Sequence, residues 1–149
     1  MKTLGNILWH FPFFGFVTAG IVYLLGLLLT ATVIAAPIGL GLMQLGRFLL
    51  TPFSCQMINQ KDTNKEINPR WDKFSKVIMV LWLPIGILLS VISVFQVVGL
   101  AITIIGIPVA IVIAKSIPTY FNPVNKVCVS TIMADEVQRA KAQAELAKN

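Results

Sequence analysis

Residues 102–115 read ITIIGIPVAIVIAK, and this stretch decides the fold. It closes a run, Val77 to Ala114, that carries no charged side chain. As one straight helix those 38 residues would reach about 57 Å, against a bilayer hydrocarbon core of about 30 Å. The Gly106-Ile107-Pro108 break is therefore where the chain bends or turns back, since proline disrupts the hydrogen-bond ladder of the turn before it. Lys115 then ends the apolar run with a charge.

A second apolar tract, Phe11 to Leu50, is interrupted only by uncharged polar residues and Arg47. Its own break is Ala35-Ala36-Pro37-Ile38-Gly39. Both tracts exceed the roughly 20 residues a helix needs to cross a bilayer. Hydrophobic residues make up 56% of the 149 and charged ones 12%, with a mean hydropathy of +0.82, whereas soluble domains are about a quarter charged. Too few polar side chains exist to cover a water-facing surface, so the chain reads as an integral membrane protein. Lys2 followed by an apolar run, with Val33-Ile34-Ala35 as a cleavage-like site, also has the outline of a secretory signal. The tract is too long for a signal core and stays apolar to Leu50, so it reads as a retained anchor.

Sliding the chain on itself by 71 residues aligns Gly15 with Gly86, Ile21 with Ile92, Leu29 with Leu100, Thr32 with Thr103, Pro37 with Pro108 and Pro52 with Pro123. The glycine and proline matches carry most weight because they fix backbone geometry. The expected architecture is an all-α, polytopic membrane protein of two tandem helix-break-helix repeats, residues 4–58 and 77–129, giving four membrane segments. A polar linker, 59–76, joins them, and a solvated tail, 130–149, forms a short amphipathic helix.

After each proline break comes a polar stripe. Gln44, Arg47, Thr51 and Ser54 are spaced three, four and three; Lys115, Thr119, Asn122 and Lys126 are spaced four, three and four. Either spacing puts its residues on one face of a helix, although Pro52 and Pro123 should end or kink those helices. The striped helices could lie on the membrane surface, because a charge at mid-bilayer costs about 3 kcal/mol on insertion scales. They could equally return through it, since basic residues before the first tract, in the linker and in the tail then all stay on the cytoplasmic side. Two hairpins are the preferred reading.

The linker, NQKDTNKEINPRWDKFSK, holds Lys61, Lys65, Arg70, Lys73 and Lys76 against Asp62, Glu66 and Asp72, with Asn68-Pro69 as a turn signal. Trp9 and Trp71 are placed as interfacial anchors. The net charge of +6 flanks apolar tracts, so the expected partner is a bilayer with anionic headgroups, not nucleic acid. In the tail, Ser130 or Thr131 caps a helix, Asp135 and Arg139 make a favourable i to i+4 pair, and Met133, Val137, Ala140, Ala144 and Ala147 form a seam. A surface helix is preferred there over an oligomerising coil. Cys55 and Cys128, one per half, read as buried free thiols; with one histidine, His10, they assemble no metal set, and no cofactor is expected.

The chemistry needed for catalysis is missing. All six carboxylates fall in the linker or tail, His10 stands alone among aromatics, and no phosphate loop, nucleophile elbow or zinc pattern is present. A proton-coupled transporter is disfavoured for want of a carboxylate inside either tract. Two readings remain. One is an oligomeric channel or small-solute pathway, a homo-oligomer lined by the post-proline stripes. The alternative is a non-conducting scaffold or regulatory protein acting through linker and tail, its lysines and arginine reaching headgroups.

Asn6-Ile7-Leu8-Trp9, Gly15, and Ile104-Ile105-Gly106-Ile107-Pro108 with Lys115 and Pro123 beyond resemble the YccF-domain family of bacterial inner-membrane proteins, which commonly carries its domain in tandem. The resemblance covers about residues 4 to 129. Departures are Ala110 for a glycine after the Gly-Ile-Pro element, Ser54 and Asn125 at the turn glycine, and Ala35 where Gly106 stands in the second copy. What the resemblance implies is a multi-pass protein of the inner membrane; it supplies no reaction.

Overall fold

The computed structural model describes residues 2–11, 13–63 and 67–147. Lys65 and Glu66 of the linker and the end of the tail lie outside them. The chain runs α1 (Lys2–His10), α2 (Gly15–Ala31), α3 (Ala36–Leu50), β1 (Cys55–Asn59), a 3-10 turn (Gln60–Thr63), α4 (Pro69–Ala101), a second 3-10 turn (Ile104–Gly106), α5 (Ile107–Phe121), β2 (Lys126–Ser130) and α6 (Thr131–Leu146). Two helices, Pro69–Ala101 and the stretch Ile104–Phe121, are long and apolar enough to cross a membrane; counting the bent pair of α1 and α2 makes three.

The breaks are hairpin turns. Pro37 and Pro108 each sit in the first turn of the returning helix, where the missing N–H is one the helix would leave unpaired anyway. Thr32 and Thr103 fasten the two turns in the same way. The hydroxyl of each donates to the carbonyl three residues back, Leu29 (2.7 Å) and Leu100 (2.9 Å), and accepts from the amide three residues on, Ala35 (3.3 Å) and Gly106 (3.1 Å). In the first turn the amides of Thr32, Val33, Ile34 and Ala36 also find carbonyls within the turn. Val33 takes a left-handed φ of 62°, which a β-branched residue resists, so the tight geometry is bought by these bonds.

α2 and α3 pack antiparallel and close. A Cβ on Gly26 would run into the backbone of Gly39 and Met43, and one on Gly39 into Gly26 and Thr30. Small residues at the contact are how membrane helices gain packing when lipid is as apolar as the side chains. α4 and α5 form the second hairpin, with Gly86 against the Phe121 carbonyl. The outward faces of α2 and α4 are apolar and exposed, including Leu24, Leu28, Val80, Leu88 and Phe95. Hydroxyls within these helices bond backward, Thr30 to Gly26, Ser93 to Leu89 and Ser116 to Val112, which removes a polar demand that lipid could not meet.

The core gathers around α3. Leu45 and Phe48 are fully buried with Leu42 and Leu49, against Val109 and Val112 of α5, Ile78 of α4, Val124 and Trp9. The expectation of an all-helical chain needs correcting here. The striped helices stop at Leu50 and Phe121, one residue before Thr51-Pro52 and Asn122-Pro123, and each chain segment then extends into a strand. β1 and β2 pair antiparallel, with Cys55 opposite Ser130, Met57 opposite Cys128 and Asn59 opposite Lys126. Asn125, one of the two residues at the turn-glycine position, leads into β2 at φ 54°, a left-handed conformation asparagine tolerates.

The first boundary, after residue 58, cuts β1, and the linker's second half is helical from Pro69, with the Asn68 carboxamide accepting from Arg70 N (3.0 Å) as an N-cap. Where the first half turns by 81° between α1 and α2, the corresponding part of α4 runs on as one helix containing Pro84. On α6 the Ser130 cap forms, to Met133 N (3.3 Å). The Asp135–Arg139 pair is not among the ion pairs of the described residues; instead Lys141 reaches Asp62 of the linker at 2.7 Å. Met133, Val137, Ala140 and Ala144, the expected seam, turn toward the linker across an open cavity of about 500 Å³.

Candidate functional site

The strand pair and the linker gather at one end of the hairpins. The strand pair joins the ends of α3 and α5, and α1 folds back onto the same place. The indole N–H of Trp9 donates to Leu49 O (2.7 Å), the Nε2–H of His10 to Leu50 O (2.7 Å), and the Asn6 carboxamide bonds Ser54 Oγ and Phe53 N. These rings satisfy carbonyls that the last turn of α3 leaves open. Trp82 does the same for α5, donating to Tyr120 O (3.1 Å). Trp9, expected as an interfacial anchor, is thus 5% exposed and part of the core. Its ring is amphipathic, but folding of α1 across α3 gives the N–H a protein partner. Trp71 is half-buried, tilted against Phe74 at 6.0 Å.

The stripe residues divide into two groups. On the first stripe, Gln44 Oε1 accepts from Cys128 N (3.3 Å), Thr51 Oγ1 lies 3.3 Å from Cys55 Sγ, and Ser54 holds Asn6. Arg47 is exposed, its guanidinium acting on Cys128. On the second, Lys115 Nζ stands 5.5 Å over the Phe53 ring and lines a cavity of about 260 Å³ with Phe48, Gln56 and Met57. Thr119 is fully buried. Asn122 accepts from Val124 N (3.1 Å), closing the turn before β2. Lys126 is half-buried beside Asn59, and burial pulls its ammonium below the usual lysine range while Asp62 opposes that.

Gln44 has a definite task. In the strand ladder Thr131 N donates to Ser54 O (3.0 Å) and Gln60 N to Asn125 O (2.8 Å), so bonded pairs alternate and Cys128 faces Met57 as a non-bonded pair. The Cys128 amide then points away from β1, and Gln44 meets it. Gln44→Leu is expected to strand that amide at a cost of about 1–3 kcal/mol, read as a lower thermal midpoint in detergent and faster hydrogen exchange at Cys128.

Two features carry no helical signature and escape a hydropathy reading. One is the sulfur-bearing face of the strand pair, with Cys55, Met57 and Cys128. The other is Asp72, which binds Lys61 and Lys76 at 3.0 Å each and Asn125 Nδ2 at 3.5 Å, tying the linker to the turn before β2. Each strand begins three residues after a proline, but CQMIN and KVCVS do not alternate polar with apolar, so no period of two marks them. Among the described residues no group of three or more His, Cys, Asp or Glu could hold a metal ion.

Apolar helices with lipid-facing sides and polar ends gathered together define a membrane protein of helical-hairpin type. The YccF family model, an inner membrane component domain, matches residues 4–54, from α1 to the residue before β1. The family resemblance therefore holds over the first half. No curated protein and no solved structure matches the chain.

Proposed function

We propose that the chain is a non-conducting scaffold of the inner membrane. Two helical hairpins anchor it, and the strand pair, linker and α6 form a platform on the cytoplasmic side. The observation that carries this reading is where the stripe side chains spend their polar atoms. Gln44, Thr51, Ser54 and Asn122 are bonded within the fold, and Lys115 covers Phe53. A pathway lined by the stripes needs those groups turned to water in a ring of subunits. The net positive charge around the linker suits anionic headgroups beside the platform. The linker carboxylates Asp62 and Asp72 are paired with lysines, and no catalytic role is proposed.

Tandem descent of the halves supports four membrane segments in two like hairpins. α3 and α5 are each 15 residues, β1 and β2 each 5, and both pairs begin 71 residues apart. The Thr32 and Thr103 turns, and the carbonyls of Leu49 and Tyr120 capped by tryptophan, share that offset. Fifteen residues of α3 rise only about 22 Å, short of the roughly 30 Å core. The tips are apolar and exposed, Ile34 at 69% and Ile104 at 86%, and in the first turn the backbone donors of 32–36 are bonded within it. Both tips accordingly end inside the bilayer.

The test of the scaffold is flux. Purified protein in liposomes is expected to pass no ion or small solute above protein-free vesicles; stoichiometric flux would overturn the reading. For topology, single cysteines at Lys73, Gln138, Ile34 and Ile104 in a background lacking the native pair meet a membrane-impermeant maleimide. Positions 73 and 138 are expected to label from one and the same side, and the tips only after detergent. Labelling of 73 and 138 from opposite sides would break the hairpin arrangement.

A further inference from the structure

The strand pair holds a chemistry that an anchor and platform do not use. Alternation puts Cys55 and Met57 on one face of β1, and Cys128 faces Met57 across the ladder. The Met57–Cys128 pair is a non-bonded one, with Cα atoms about 4.5 Å apart and side chains at their closest. Cys55 sits on the diagonal, on the same face as Cys128. Three sulfurs thus crowd one half-buried patch against the core. Thr51 Oγ1 lies 3.3 Å from Cys55 Sγ, and the positive charge of Arg47 bears on Cys128.

Paired thiols serve either as a disulfide or as metal ligands. Both cysteines are free, and diagonal neighbours on antiparallel strands stand about 7–8 Å apart, beyond the roughly 4.4–6.8 Å between Cα atoms that a disulfide needs. A metal ion between two sulfurs spans the larger gap. Zinc wants four ligands, and the patch lacks them. Thiolate and thioether together select a soft ion that accepts few ligands, above all Cu(I).

We propose that Cys55, Met57 and Cys128 form a binding site for a soft monovalent cation, Cu(I) or its analogue Ag(I). Two thiolates and one thioether supply the ligands, and Arg47 offsets the residual negative charge. On binding, two thiol protons leave to solvent, two metal–thiolate bonds form, and neither metal nor sulfur changes oxidation state. Metal binding displaces the thiol protons, so affinity rises with pH.

The test titrates full-length protein in detergent with Cu(I), kept reduced by ascorbate, against a chromophoric Cu(I) chelator. One Cu(I) per chain is expected, with only sulfur in the first shell by X-ray absorption. Loss of an outer-shell partner costs about 10–100-fold in metal affinity, so Cys55→Ser or Cys128→Ser should cost at least about 100-fold and Met57→Leu about 10-fold. Met57→Leu keeps the side-chain volume, and its helicity and elution volume show whether the fold survives. Absence of binding by the native chain, or binding that persists when both cysteines are serine, would overturn the site. So would an intact mass showing the two thiols oxidised to each other.

Discussion

Gly41→Ala will separate the two halves of the molecule. Gly41 lies on the buried face of α3, and a Cβ there would run into the carbonyl of Pro123, in the turn between α5 and β2. That obstacle is backbone, held by a fully buried proline, so no rotamer change relieves it. Overpacking a core costs about 1–3 kcal/mol and sometimes more; with two backbones in collision, about 3 kcal/mol or above is expected. The measurement is the thermal midpoint in detergent, together with loss of a single elution peak. Gly20→Ala and Gly99→Ala are the controls, because a Cβ at either meets nothing within 4 Å. Both sit inside helices, where alanine should gain about 0.5–1 kcal/mol over glycine. If Gly41→Ala behaves like its controls, the docking of α3 on the Pro123 turn is wrong.

Trp9→Ala will have an effect of comparable size by the opposite route, leaving a hole instead of a clash. The indole fills space that Gly15 leaves open, since a Cβ on Gly15 would run into the Trp9 ring. Truncating a buried aromatic costs about 3–5 kcal/mol. It also strips the N–H from Leu49 O at the end of α3. Trp9→Phe separates the two contributions: it keeps most of the ring and leaves the carbonyl unmet, for about 1–3 kcal/mol. Trp82→Phe should cost less, as its bond to Tyr120 O is longer, 3.1 against 2.7 Å, and its ring is only half-buried. Equal losses from Trp9→Phe and Trp9→Ala would place the whole effect in the hydrogen bond.

The hairpins were legible because length arithmetic forces them. An apolar run of that extent with Gly-Ile-Pro inside it has few ways to fit a bilayer, and Thr32 and Thr103 mark both turns. The strands were hidden for a different reason. Each is five residues, and each finds its partner across a separation no local pattern records. Asn68-Pro69 was ambiguous between a turn and a helix start, and the charges that followed disguised the first two turns of α4. The stripe spacing placed Gln44, Thr51 and Lys115 on common faces, but spacing does not say what a face meets. For Trp9, burial depends on α1 crossing back through Phe14 at φ 53°, a backbone choice absent from hydropathy.

Met57 and Cys128 are counterparts by the 71-residue offset, and they are also opposite one another in the ladder. A strand that pairs with its own counterpart about its midpoint would fit a second copy of itself in the same way. Carrying both strands in one chain makes that encounter intramolecular, at an effective concentration on the order of mM, so the sheet closes independently of how dilute the protein is in the membrane. It also frees matched positions to differ: glutamine at 44 holds a strand amide while lysine at 115 covers a ring, a division of labour that two identical subunits could not adopt.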